Sequence, residues 1–290
     1  MMAIIPMLIV FSSIFAILTP DATAQTLKSY KDNLFAYPKV LSEIDSGDFR
    51  IIDYQELRDI NGRDDVPEKR VRAEYVDYAG TRATNTSIFG SSAGNVDYHY
   101  VGQLENAAFI TVFIHGKGGD GRLGANDFSF GGNFNRLKML MLRNKGLYLS
   151  PDAGGFSVDD VRAVSELVLD KLHQSPNAKL IISCGSAGGA VCYALADILP
   201  IAKRLNGIAL LGSFWDWSYP KSAAGKIKVP IYIAHGSRDK VFAIEEMENF
   251  YRELRKSKIP VKMVRLETGT HGTPIRMIDW RTAINWMSTN

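Results

Sequence analysis

Three residues of this 290-residue sequence could do chemistry together: Ser186, Asp239 and His271. A serine hydroxyl is a poor nucleophile at neutral pH until a base takes its proton, and the base must be held in one tautomer by an acceptor. A serine, an imidazole and a carboxylate are the minimum set for that task. Each follows a short apolar run suited to a buried strand: Leu180-Ile181-Ile182, Pro230-Ile231-Tyr232-Ile233-Ala234, and Val261 to Leu266. Strand C-terminal ends are where α/β folds place their sites. Each residue also has a plainer reading: Ser186 and Asp239 could cap the helices that follow them, and a lone histidine such as His271 is more often structural. Asp216 and Asp152 are competing carboxylates for the acid.

The elements that must position these groups are organised around Leu180 to Leu195, which passes from a β-branched run into an Ala-rich run suited to a helix. The turn between them is Cys184-Gly185-Ser186-Ala187-Gly188. A serine on so tight a strand-to-helix turn needs small neighbours two residues before and after it, a condition that Cys184 and Gly188 meet. The turn lifts the hydroxyl above the sheet edge, and the helix N-terminus below offers unpaired N–H groups to a developing negative charge. This stretch resembles the nucleophile elbow of the α/β-hydrolase superfamily, with Cys184 in place of the usual first glycine of Gly-x-Ser-x-Gly.

A second glycine-rich turn follows the apolar strand Ala107 to Ile114 and reads His115-Gly116-Lys117-Gly118-Gly119-Asp120-Gly121. Bare backbone amides in such a loop suit an oxyanion hole. A phosphate-binding loop would need Lys then Ser or Thr after the second glycine, but Arg122-Leu123 follow Gly121. A dinucleotide fingerprint does match Gly116-x-Gly118-x-x-Gly121. It fails on context: polar residues from Asp120 to Asn135 delay the helix, and no acidic residue closes a clean strand about 20 residues later. The loop is similar to the His-Gly-rich loop of lipases and esterases in the superfamily. His235-Gly236-Ser237-Arg238-Asp239-Lys240-Val241 resembles the superfamily's acid loop, and Thr270-His271-Gly272 its histidine loop.

The order Ser186, Asp239, His271 is the superfamily's own, and the resemblance spans about residues 107–286. It implies a serine hydrolase that cleaves carboxylic esters through an acyl-enzyme, with oxyanion amides near Lys117 and at Ala187. No metal or organic cofactor is then required. A peptidase, a thioesterase, a polysaccharide deacetylase or a non-catalytic binding protein on the same fold stays open as an alternative.

The chain holds 34 basic and 31 acidic residues, a net charge of +3, scattered without a basic stripe, so neither nucleic acid nor an anionic membrane surface is an expected partner. Small neutral or weakly charged esters are the expected substrates. Residues 1–18 are almost wholly apolar and lead to Ala22-Thr23-Ala24, the pattern of a signal peptide over 1–24, although no Lys or Arg precedes the apolar run. A retained anchor is the alternative. Export to the periplasm or the medium is expected, with no stable membrane association after cleavage. The two cysteines, Cys184 and Cys192, read as reduced and buried, because a strand end and the following helix need not bring their Cα atoms within disulfide range.

With 46% hydrophobic residues, 25–290 can form one α/β domain with a mostly parallel central sheet and helices on both faces. The core is 106–290, and 25–105 is a strand-rich extension supplying antiparallel strands at the N-terminal edge. Strands are predicted at Arg72 to Tyr78 and Val96 to Val101, with an exposed loop over Thr81 to Asn95 between them. His99, in the second run, reads as structural. Helices are predicted over Asn135 to Arg143, Ser157 to His173, Ile244 to Lys256 and Ile275 to Trp286. Between Gly212 and Pro230 only a short segment is available, too short for a multi-helix lid. Phe214, Trp215, Trp217 and Tyr219 from it are expected to line the substrate rim, with at least two packing on the sheet edge.

Overall fold

The computed structural model describes residues 25–290 apart from Pro67, so the signal-peptide reading of 1–24 lies outside the described residues. The apolar runs assemble into one ten-stranded sheet. Its strands are β1 (Val40–Ile44), β2 (Phe49–Ile52), β3 (Asn85–Ser91), β4 (Gly94–Gly102), β5 (Phe109–Ile114), β6 (Leu147–Pro151), β7 (Lys179–Gly185), β8 (Leu205–Leu211), β9 (Ile231–Gly236) and β10 (Val261–Leu266). They lie side by side in the order β1-β2-β10-β9-β8-β7-β5-β6-β4-β3. From β2 through β6 every pairing is parallel.

The central strands are apolar on both faces because helices cover both. Ile110, Val112 and Ile114 of β5 join one core with α2 (Val158–Gln174), α3 (Gly189–Asp197) and α4 (Ile244–Lys256). Phe109 and Phe113 of the same strand face the other core with α1 (Asn133–Arg143) and α5 (Trp280–Ser288). Full burial of each such side chain stabilises the fold by about 1.5–3 kcal/mol. Ser157 caps α2 in a reciprocal pair with Asp160, as its placement before the apolar-periodic run predicts.

From β5 the chain crosses to β6 on one side, then returns to β7 on the other and continues outward through β8, β9 and β10. That reversal opens a crevice at the C-terminal ends of β5 and β7, which is where sheets of this kind bind ligands.

The extension departs from expectation in three ways. Arg72 to Tyr78 is not a strand: Ala73–Tyr75 is a 3-10 turn and Tyr78–Arg82 a short helix capped by the Asp77 carboxylate, which accepts from the Ala79 N–H. Tyr75 and Val76 of this run bury with Phe35 and the preceding Val71 in a small separate cluster, away from the ten-stranded sheet. Thr81 to Asn95 is not a loop but contains β3, whose polar composition reflects its place as an edge strand with a solvated face. Antiparallel strands occur at both edges, β3 and β4 at one and β1 at the other, where β2 joins β10 in parallel.

The final helical run divides into Thr273–Met277 and α5. Asn133 Nδ2 donates to the carbonyls of Ile275 and Ile278, satisfying the broken turn, and the Asp279 side chain caps α5. Among the described residues no helix is long and apolar enough to cross a membrane.

Candidate active site

Ser186 sits at the turn between β7 and α3 with φ of 52°, in the left-handed region that a residue with a side chain occupies only when its surroundings impose it. Small neighbours make the turn possible. A Cβ on Gly188 would strike the His115 carbonyl oxygen, and one on Gly189 would strike Ser213 Oγ. Ser213 in turn donates to the Ser186 carbonyl at 2.7 Å, so the strand end after β8 holds the elbow from one side.

The three residues that the sequence brought forward, Ser186, Asp239 and His271, converge. His271 Nε2 lies 2.8 Å from Ser186 Oγ, and His271 Nδ1 lies 2.8 Å from Asp239 Oδ2. An ionised carboxylate only accepts, so Nδ1 carries the proton and Nε2 is left bare toward the serine hydroxyl. Asp239 Oδ1 accepts further bonds from the Val241 and Phe242 N–H groups at 2.8 and 3.1 Å. Burial pushes the Asp239 carboxyl upward, but the bonds from His271, Phe242 and Val241 outweigh it and hold the group below the usual carboxylate range. Asp216 is engaged elsewhere, accepting from the Ser218 hydroxyl and N–H. Asp152 stands 3.5 Å from His115.

The glycine-rich loop meets the elbow at its first glycine: a Cβ on Gly116 would lie 3.0 Å from Ser186 Cβ and 3.5 Å from its Oγ. Beyond it the Gly119 N–H bonds the Gly116 carbonyl at 3.1 Å, with Gly118 at φ 74°, so Lys117 occupies the corner of a tight turn that needs glycine after it. His115 is buried and anchors this turn. It donates from Nδ1 to the Gly116 carbonyl at 2.8 Å and accepts at Nε2 from the Ala153 N–H at 3.0 Å. Ala187 lies in the first turn after Ser186, where helix N–H groups have no intrahelical partner. The far end of the loop borders a cavity of about 520 Å³ lined by Asp120, Gly121 and Arg122 with Asp97, His99 and Asp152.

The four aromatic residues of the segment after β8 divide among the site, the core and the exposed surface. Phe214 packs against Phe242 with ring centroids 5.6 Å apart, and Phe242 lies 5.6 Å from the His271 ring, so these two make the apolar side of the site. Tyr219 is not on the rim: it is fully buried, packed on Tyr193, with its hydroxyl on the Val229 carbonyl. Trp215 packs on the core, and exposed Trp217 stands edge-on to Phe250 of α4. Phe242, Ser213 and His235 were not singled out by sequence reasoning. The signal for two of them was proximity, since His235 at the end of β9 and Phe242 in the loop after it flank Asp239. His235 is fully buried, donates from Nε2 to the Phe242 carbonyl at 2.9 Å, and its burial lowers its affinity for a proton.

The cysteine expectation is overturned. Cys184 and Cys192 form a disulfide, their Cα atoms 6.4 Å apart. The elbow reverses the chain so sharply that α3 returns over the end of β7 on the same face, inside the range a disulfide spans. Among the described residues no group of three or more His, Cys, Asp or Glu is placed to hold a metal ion.

Comparison with known proteins agrees with this architecture. Residues 158–274 match the model of the dienelactone hydrolase family. A thermostable esterase superposes with a TM-score of 0.56 at 17% identity over 71% of this chain, which spans only 62% of that protein. An α/β serine hydrolase homologue from Coxiella burnetii gives 0.50 at 12% identity, covering 70% of this chain and 96% of that one. An esterase from Pyrococcus furiosus gives 0.52 at 12% identity, covering 71% and 89%. No curated protein sequence matches the chain at a significant level. With a parallel sheet covered on both faces and a serine on a strained strand-to-helix turn, the chain has the α/β-hydrolase fold.

Proposed function

We propose that the protein is an exported serine esterase that cleaves carboxylic esters of small or short-acyl substrates. The observation that carries this reading is the continuous hydrogen-bonded line from Ser186 Oγ through both His271 nitrogens to Asp239. In this mechanism Ser186 Oγ bonds to the acyl carbon as its proton passes to His271 Nε2. The oxyanion is held by the amides of Lys117 and Ala187. Collapse breaks the bond to the leaving alcohol, which takes the proton from Nε2. A water molecule then gives a proton to Nε2 as it attacks the acyl carbon, and collapse breaks the bond to Ser186 Oγ, which takes the proton back from Nε2 as the acid leaves. Asp239 stabilises the imidazolium that forms in each half and fixes its tautomer.

The short path between β8 and β9 carries only a 3-10 turn and the short helix Ala223–Lys226, which favours an open site over a lidded one. Phe214 and Phe242 would face the acyl group. Export is supported by the Ala-x-Ala pattern before Gln25 and by the disulfide, a bond that persists in oxidising compartments. Small-molecule esters are the partners in this reading, with no nucleic acid and no lasting membrane attachment.

The test is covalent labelling by a fluorophosphonate, run beside turnover on esters graded by acyl length and on amide and thioester analogues. Labelling should map to the Ser186 peptide, and Ser186→Ala should abolish both labelling and hydrolysis, a loss of several powers of ten. Rates should be highest for short acyl groups. Activity retained by Ser186→Ala would remove the serine mechanism, and faster amide than ester turnover would make the protein a peptidase.

A further inference from the structure

We propose that the Cys184–Cys192 disulfide is a positioning device for the nucleophile: it ties the end of β7 to α3 across the turn and so fixes Ser186 in its left-handed conformation. The inference rests on Ser186 being the nucleophile. One anchor of the staple is set in the middle of the sheet, since Cys184 pairs in register with Ile114 of β5 and Leu210 of β8. The other anchor is on α3, and the bond closes a sequence separation of only 8, a span that contains Ser186, the Ala187 amide and Gly188.

Apart from the backbone itself, the disulfide is the one covalent link between strand and helix in that span, and Ser186 holds a backbone conformation that relaxes unless it is enforced. The other restraints act from outside: Ser213 on the Ser186 carbonyl, Gly116 against its side chain, and the His115 carbonyl against Gly188. Each of those fixes one point of the turn, whereas the disulfide fixes the distance between its two ends. Both cysteines are fully buried in the core between the sheet and α3, so a solvent thiol cannot reach the bond in the folded enzyme. The bond is therefore a permanent part of the site and not a switch. It also accounts for a cysteine where the superfamily's elbow carries glycine: the side chain is directed down onto α3, clear of the turn.

The experiment compares Cys184→Ala, Cys192→Ala and the double variant with the intact enzyme, all well below their melting temperatures. Each should lose about tenfold or more in kcat, as misplacement of a reacting group does, with KM within about twofold. The rate of fluorophosphonate labelling should fall in parallel. Either single variant should lose as much as the double, because breaking the bond at either end removes the whole restraint. In the denatured, unreduced protein no thiol should titrate, and two should appear after reduction. As a second arm, wild-type chain refolded under reductant should show the low kcat and regain it on reoxidation. Unchanged kcat with only a lowered Tm, additive losses in the double variant, or two free thiols before reduction would overturn the proposal. So would failure of both the variants and the reduced chain to recover a native circular-dichroism spectrum, since the bond would then serve folding at large. A Ser186→Ala control that keeps its turnover would instead refute the nucleophile assignment itself.

Discussion

Asp239 is fixed by three hydrogen bonds, one from His271 Nδ1 and two from the N–H groups of Val241 and Phe242. Replacing it with asparagine keeps the backbone bonds on one oxygen but can turn an amide N–H toward His271, which favours the wrong imidazole tautomer. We expect Asp239→Asn to lower kcat by about 10⁴. Asp216→Asn, whose carboxylate serves only Ser218, should change kcat by less than about tenfold. Steady-state kinetics on one soluble ester measure both, and a larger loss at Asp216 would move the acid to the strand before. His235 has a subtler part. It reaches the carbonyl of the same Phe242 whose N–H binds Asp239, so it holds the acid loop in shape without touching the serine.

At the scale of elements, the site is a meeting of strand ends. The turn after β7 presents Ser186, the turn after β5 presses Gly116 against it, the segment after β8 holds its carbonyl through Ser213, and the loops after β9 and β10 supply Asp239 and His271. Gly188 is where the first two approach most closely, over the His115 carbonyl and 3.0 Å from the Ile114 carbonyl for an added Cβ. Gly188→Ala must push α3 away from the β5 loop. Overpacking of this kind costs about 1–3 kcal/mol, and moving the amides of Lys117 and Ala187 apart, the oxyanion donors of the proposed mechanism, should lower kcat further than the stability loss accounts for. Thermal melts and kinetics on the same preparation would separate the two; an active enzyme with only a lowered Tm would show that the loop can follow the helix. The N-terminal segment is tied into this framework as well: the Leu27 N–H donates to Asn285 Oδ1 and Arg281 donates to the Leu27 carbonyl, both on α5.

For the whole molecule, pH acts through His235, His99 and Asp239. His235 takes up a proton less readily in the folded protein than the ordinary imidazole value of 6.5, because burial disfavours its charged form. As pH falls below that value the unfolded chain binds the proton first, so folding stability declines. His99, also lowered by burial, adds in the same direction. Asp239 has a depressed folded-state pKa, so its contribution is present above the ordinary carboxylate value of 3.8 and is lost as pH drops through the lower one. We expect folding stability to fall as pH drops from about 6.5 to 5, by up to about 1.4 kcal/mol per pH unit for the buried His235, which lowers Tm by roughly 2–4 °C per kcal/mol for a domain of this size. His235→Gln should flatten that slope. Calorimetric scans across the range would show it, and an unchanged slope in the variant would mean that His235 is protonated in place.

The sequence by itself determined the sheet's central strands, the serine elbow, the glycine loop and the order of Ser186, Asp239 and His271. Each of these is written locally, as an apolar run followed by a turn of small residues, and short-range sterics fix such patterns whatever lies beyond them. Only the tertiary structure decided which neighbours the loop ends would find. Phe242 beside His271, Ser213 on the Ser186 carbonyl and Tyr219 turned inward all depend on strands β7, β8, β9 and β10 lying adjacent in one register. Arg72 to Tyr78 misled for the same reason, since alternation of apolar residues records burial without saying against what. The disulfide is the sharpest case: eight residues of separation leave the Cα distance open, and the reversal at Ser186, imposed by packing on both sides, closes it to 6.4 Å.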